Sequence, residues 1–173
     1  MKKLLFVAFS LTIMLSCKEP VKQYTTSSPE IETIKTLHKY FEDNNYDALT
    51  ELYAEDAKIY ENSFESKSAS DVIKEGKEGR ELIADYTFEG GVKCEMIIND
   101  AGEKWVNSWA HWKGTLKGGE KVIEVPIISR FLFEDGKIVK EYSYWDNLPS
   151  YIAFDEMASK KLENLEETLE EDK

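Results

Sequence analysis

At 173 residues the chain has room for one ordinary domain. Its 34 acidic side chains outnumber 22 lysines and arginines, leaving a formal charge of -12. So acidic a surface repels a phosphate backbone and an anionic lipid surface alike, which removes nucleic acid from the expected partners.

The first residues read Lys2-Lys3, an apolar run from Leu4 to Leu15, then Ser16-Cys17. This is the charged, apolar and small-residue order of a secretory signal, and the apolar run is too short to span a bilayer. Met14-Leu15-Ser16-Cys17 resembles the lipobox of bacterial lipoproteins, in which the cysteine is lipidated and begins the mature chain. The resemblance implies a signal peptide over residues 1–16 and a lipid on Cys17. It also implies a membrane-anchored place in the cell envelope, facing either the periplasm or the exterior. Residues 17–28 then form the lipidated cysteine and a tether, of which Lys18 to Ser27 reach roughly 30 Å at about 3.3 Å per residue. With Cys17 acylated, Cys94 has no disulfide partner. Its alternation with Val92, Met96 and Ile98 reads as a small buried hydrophobe.

A domain is expected over residues 29–148. Ser28 before Pro29 suits an N-cap with proline in the first turn, and Ile31, Ile34, Leu37, His38 and Phe41 recur at helical spacing. Asn44-Asn45 ends that helix, and Asp47 to Tyr53 predicts a short second one. Ala57 to Asn62 predicts a strand that puts Glu61 on one face with Ala57 and Ile59. Ser68 to Tyr86 reads as helix, capped through Ser70-Asp71, either unbroken or bent where Gly76 and Gly79 weaken it. Strands follow over Val92–Asn99, Lys104–Leu116, Lys121–Glu134 and Lys137–Asp146, and Asp135-Gly136 suits a tight hairpin turn between the last two.

On the third of these strands the odd-numbered residues from Ile123 to Phe133 form the buried face, interrupted by Ser129. Ile128 and Leu132 lie opposite, and the tryptophans at 105, 109 and 112 divide between both faces of the preceding strand. Such a sheet is covered either by helices and a second subunit, giving a homodimer through the outer face, or by helices and the C-terminal segment. Residues 149–173 form an amphipathic, acidic C-terminal helix whose charges argue against membrane insertion.

Tyr40-Phe41, Asn44-Asn45-Tyr46-Asp47, Leu52-Tyr53-Ala54-Glu55-Asp56-Ala57, Phe133 to Ile138 and Tyr144-Trp145-Asp146 carry a wider resemblance. Residues 31–147 resemble the SnoaL-like branch of the nuclear transport factor 2-like superfamily. The resemblance implies an α+β, cone-shaped fold: a curved antiparallel sheet wrapped around N-terminal helices and enclosing a cavity. The family spans isomerases, dehydratases, cyclases, epoxide hydrolases and binding domains, so shape does not select a reaction. By position, Glu61 matches the carboxylate base of ketosteroid isomerases, whereas Leu37 and Ser129 stand where that family places its oxyanion-stabilising residues. Ser143 stands where cyclases and epoxide hydrolases carry a working aspartate.

Glu61, His111 and Asp146 are therefore the candidate catalytic residues, and Tyr60, Trp109, Ser129, Ser143 and Trp145 the candidate ligand-binding ones. Each also has a structural reading: a solvated strand end for Glu61, a surface hydrogen bond for His111, a turn for Asp146 and wall or core for the aromatics. Two distant histidines and no Gly-rich phosphate loop give no expectation of a metal or cofactor. Three readings remain: a cavity that binds a small apolar or aromatic molecule without reaction, a general acid–base enzyme with Glu61 as base, or a dimerisation or protein-interaction module.

Overall fold

The computed structural model describes residues 23–118 and 121–171; the expected signal peptide and Cys17 lie outside them. Helix α1 runs Pro29–Glu42, and Ser28 Oγ accepts the Ile31 N–H at 3.2 Å. Asn44, with φ 55°, turns the chain into α2, Tyr46–Thr50. That helix is shorter than predicted because Tyr53 already begins strand β2, Tyr53–Glu61.

Helix α3 spans Ala69–Arg80 and is capped by Ser68 rather than Ser70. Ser68 Oγ accepts the Asp71 N–H while Asp71 Oδ2 accepts the Ser68 N–H, a reciprocal capping box. The expected helix through Tyr86 is corrected: Ile83–Phe88 is strand β3. Its Ile, Tyr, Thr and Phe suit a pleated, half-buried surface better than a helix. Gly76 does not break α3; it lets the helix approach Phe41 and Tyr46, whose rings lie 3.4 and 3.6 Å from where a Cβ would stand.

Strands β4 (Lys93–Ile98), β5 (Lys104–Leu116), β6 (Val122–Glu134) and β7 (Lys137–Trp145) form the expected meander. Asp135 and Gly136, at φ 47° and 78°, make the tight turn between β6 and β7. With β1, Tyr24–Thr25, the unclosed sheet has the order β1-β4-β5-β6-β7-β2, and β3 pairs the far half of β5. The one departure from antiparallel order is β2, which joins β7 in parallel. Nearly the whole domain separates these two strands, so no tight turn imposes an antiparallel sense.

Two clusters fill the inner side. Ile59, Val106, Phe131 and Ile138 of the sheet pack on Ile31, Ile34 and Leu49, each buried side chain contributing about 1.5–3 kcal/mol. Ile83, Leu116, Ile123 and Val125 pack on Ala153, Phe154 and Met157 of α4, Leu148–Glu171. Helix α4 thus closes one end of the inner side and does not cover the outer face. Trp109, Ile128 and Tyr144 stand exposed on that outer face, in register across three strands. Trp112, on the opposite side of β5 from Trp105 and Trp109, faces inward.

Candidate functional site

A cavity of about 350 Å³ lies where the two clusters meet and takes wall residues from both. Its walls are largely aromatic, with Phe41, Tyr46, Phe88, Trp145 and a stacked Tyr86–Trp112 pair at 5.7 Å between centroids. Polar groups enter at few points: Tyr53 and Glu61 from β2, Ser129 from β6, Glu141 and Ser143 from β7, His38 from α1, Arg80 from α3 and Ser150 from α4. Few polar groups in an apolar hollow of this size is the ordinary composition of a small-molecule site.

The centre of the polar group is Glu141. Tyr53 donates its hydroxyl to Glu141 Oε2 at 2.7 Å, and Ser143 donates to Oε1 at 2.6 Å. Ser143 Oγ also lies 2.7 Å from Ser129 Oγ. Each serine has one hydroxyl proton, so the chain has two settings. With Glu141 ionised, Ser129 donates to Ser143 and Ser143 to the carboxylate; with Glu141 protonated, the carboxyl donates to Ser143 and Ser143 to Ser129. The network can therefore hold either charge state without leaving a hydroxyl unpaired.

Burial pushes the Glu141 carboxyl up to about 7, against the lowering effect of its two hydroxyl donors, and Glu61 adds repulsion in the same direction. Among the described residues no cation pairs with it. The Tyr53 phenol is raised well above its ordinary range, by burial first and then by Glu141 and Glu61, so it stays a donor. Glu61 lines the same cavity, with Oε2 held 3.2 Å from Lys67 Nζ, and Lys67 also meets Glu75 at 2.5 Å. Arg80 donates through Nε to Asn44 Oδ1 at 2.9 Å and through a terminal nitrogen to the Ile83 carbonyl, with its guanidinium 5.6 Å from the Tyr86 ring centre.

Of the residues expected to act, Glu61, Ser129, Ser143 and Trp145 line the cavity together. The others do not. On β5 the buried residues Val106, Ser108 and Ala110 point inward, which turns Trp109 and His111 outward. His111 Nε2 lies 3.0 Å from Glu124 and Nδ1 3.5 Å from Glu89, so the proposed pairing with Glu61 is corrected to a surface cluster. The donor atoms of Glu89, His111 and Glu124 fall within 4.8 Å of one another, but Lys113 already supplies a cation to both glutamates. Tyr60 also faces outward and stacks on Tyr142 at 4.8 Å. Asp146 accepts the Leu148 N–H at 2.9 Å, the turn role, with no place in the cavity wall.

Glu141 and His38 were not among the expected site residues. The signal for Glu141 was present: a strand repeats every two residues, so a cavity-facing Ser143 places Glu141 on the same face. His38 was read as part of the apolar stripe of α1, which it is, and the stripe faces the cavity.

The wall depends on Gly114, where a Cβ would meet the Trp112 ring, with Cζ2 at 2.6 Å, and Tyr86 Cβ at 3.0 Å. Gly114→Ala should therefore displace Trp112 from its stack, lower stability by about 1–3 kcal/mol and change the indole fluorescence. An unchanged near-ultraviolet dichroism spectrum would show that the ring is not held there.

No protein-family model matches the chain, and no curated protein matches it. Solved structures do. PrhC from Penicillium brasilianum superposes with a TM-score of 0.64 at 12% identity, covering 79% of this chain and 93% of PrhC. A candidate polyketide cyclase from Xanthomonas campestris pv. campestris superposes at 0.59 and 17%, covering 75% and 98%. A Catenulispora acidiphila protein with a ketosteroid isomerase-like fold, solved with trimethylamine, superposes at 0.51 and 18%, covering 65% and 84%. At these identities the likeness establishes the fold, which is the SnoaL-like, nuclear transport factor 2-like one.

Proposed function

We propose that the cavity binds a small, largely apolar or aromatic molecule and moves a proton on it, with Glu141 as the proton-transfer group. The observation that carries this reading is a buried carboxyl, pushed up to about 7 by that burial, which opens on a largely apolar cavity and has no cation paired with it among the described residues. A group balanced near neutral pH both gives and takes a proton readily, which is what general acid–base catalysis asks of it. Ser143 occupies the family's usual carboxylate position, and Glu141 supplies the carboxylate two residues earlier on the same face. Tyr53 and Ser143 are positioning residues that hold the carboxyl toward the hollow. Glu61 provides a second carboxylate in the wall. The reaction class is proton removal beside a carbonyl and its return elsewhere, as in an isomerisation, a cyclisation or a hydration–dehydration.

A generic probe tests this. Deuterium exchange at the acidic carbon of 2-tetralone, followed by proton NMR, should run faster with the protein than in buffer, and Glu141→Gln should remove about 100-fold or more of that acceleration. Saturable binding of 2-tetralone with exchange no faster than buffer would reduce the cavity to a binding site.

Two further readings concern where the domain sits. The lipobox-like run supports a lipid on Cys17 and a membrane-anchored place in the envelope; an unacylated mature Cys17 by mass spectrometry would end that reading. The exposed row Trp109, Ile128 and Tyr144 supports self-association through the outer face. Light scattering that gives a monomer at tens of micromolar would count against it.

A further inference from the structure

We infer that His38 is a ligand-binding group whose Nε2 accepts a hydrogen bond from a hydroxyl or N–H of the molecule in the cavity. The inference builds on the small-molecule reading above and narrows it to ligands carrying a donor as well as the carbonyl that Glu141 would serve.

The geometry leaves little choice of tautomer. His38 Nδ1 lies 2.9 Å from the Ile34 carbonyl oxygen, four residues back along α1. A carbonyl only accepts, so the Nδ1 position carries the hydrogen, and in a neutral ring the Nε2 lone pair is then bare. Burial holds the ring below its ordinary pKa, outweighing the Ile34 carbonyl and Glu42, which keeps it neutral at pH 7. The side chain is only 6% exposed, and its ring stands edge-on to Phe88 at 4.7 Å and 77°.

Nε2 has no hydrogen-bond partner among the described residues, yet no partnerless side-chain nitrogen or oxygen is sealed from solvent-accessible space there. Nε2 is therefore open, and His38 is a residue of the cavity wall. Of the wall residues Phe41 and Phe88 have no donor, and the Tyr86 hydroxyl is spent on the Phe41 carbonyl. A ligand without a donor would displace water from this lone pair and leave it unmet. A ligand with a phenolic or enolic hydroxyl, or an N–H, would satisfy it. The cavity thus pairs a lone-pair acceptor on α1 with a carboxyl on β7.

The test compares 2-naphthol with 2-methoxynaphthalene, in which a methyl group replaces the hydroxyl hydrogen. Calorimetry on the full chain should give about tenfold or greater preference for 2-naphthol, the scale of one unmet buried acceptor. In nitrogen-15 NMR of the histidine side chains, the His38 Nε2 resonance should move on adding 2-naphthol while Nδ1 keeps its hydrogen; outward-facing His111 serves as the internal control. His38→Phe should erase the preference. Equal binding of the two probes, or an Nε2 resonance unmoved by bound 2-naphthol, overturns the inference, and the wild-type NMR measurement holds even if the variant fails to fold. The outcomes separate the two claims: Glu141→Gln should keep the naphthol preference while losing 2-tetralone exchange. Absent exchange with an intact preference would defeat proton transfer and leave the His38 assignment standing.

Discussion

At pH 8 the Glu141→Gln protein should resist urea better than wild type by about 3 kcal/mol, and at pH 4.5 the two should be alike. The cause is the cost of a charge in a buried place. Glu141 is raised from an ordinary 4.5 to about 7 in the folded chain. Below pH 4.5 both folded and unfolded chains hold the proton, so the raised proton affinity costs nothing. Between 4.5 and 7 folding takes up a proton, and stability falls as pH rises. Above 7 the folded chain bears the full cost of the ionised group, about 1.4 kcal/mol for each tenfold gain in proton affinity. Glutamine removes the titration and keeps the shape, with its amide oxygen accepting from Tyr53 and its NH₂ donating to Ser143. Urea unfolding of both proteins at pH 4.5, 6, 7 and 8 gives the difference directly. Parallel curves across that range would mean that water reaches Glu141 and that its proton affinity is ordinary.

Phe131→Ala should cost at least as much, a loss of about 3–5 kcal/mol. Phe131 is 1% exposed and belongs to both the main cluster and the cavity wall. Its register partners are Val106 on one side and Glu141 on the other. Removing the ring therefore does more than open a hole. Water admitted there lies beside the carboxyl, so the Glu141 titration should move from about 7 back toward 4.5. Carbon-13 NMR of the Glu141 carboxyl reads this separately from the urea midpoint. A large loss of stability with an unmoved titration would show that other neighbours keep Glu141 dry.

Local signals made much of this fold readable. Ser28-Pro29 opens α1 and Asp135-Gly136 turns the last hairpin because capping and left-handed turns depend on a few adjacent residues. The odd-numbered face of β6 is the buried one, as alternation requires. Pairings between distant segments left no such mark. The parallel contact of β2 with β7 is set by packing, and β3 became a strand because the edge of β5 was open to it, although Gly76 and Gly79 suggested only a weak helix. Alternation says which residues share a face but not which face is inside. With tryptophans on both sides of β5, the pattern leaves open which side faces the cavity, and the candidate roles of Trp109 and His111 presuppose the side that turns out to face outward. Family position points to Ser143, two residues on from Glu141.

The Tyr53–Glu141 hydrogen bond joins residues 88 apart in the chain. Since β2 lies near the start of the domain and β7 near its end, the cavity's polar floor cannot form until almost all of the domain has been synthesised. A chain stopped after β6 has most of the aromatic wall but neither Glu141 nor Ser143. Closure of so long a loop is slow, so an emerging or partly degraded chain exposes apolar surface well before it acquires Glu141.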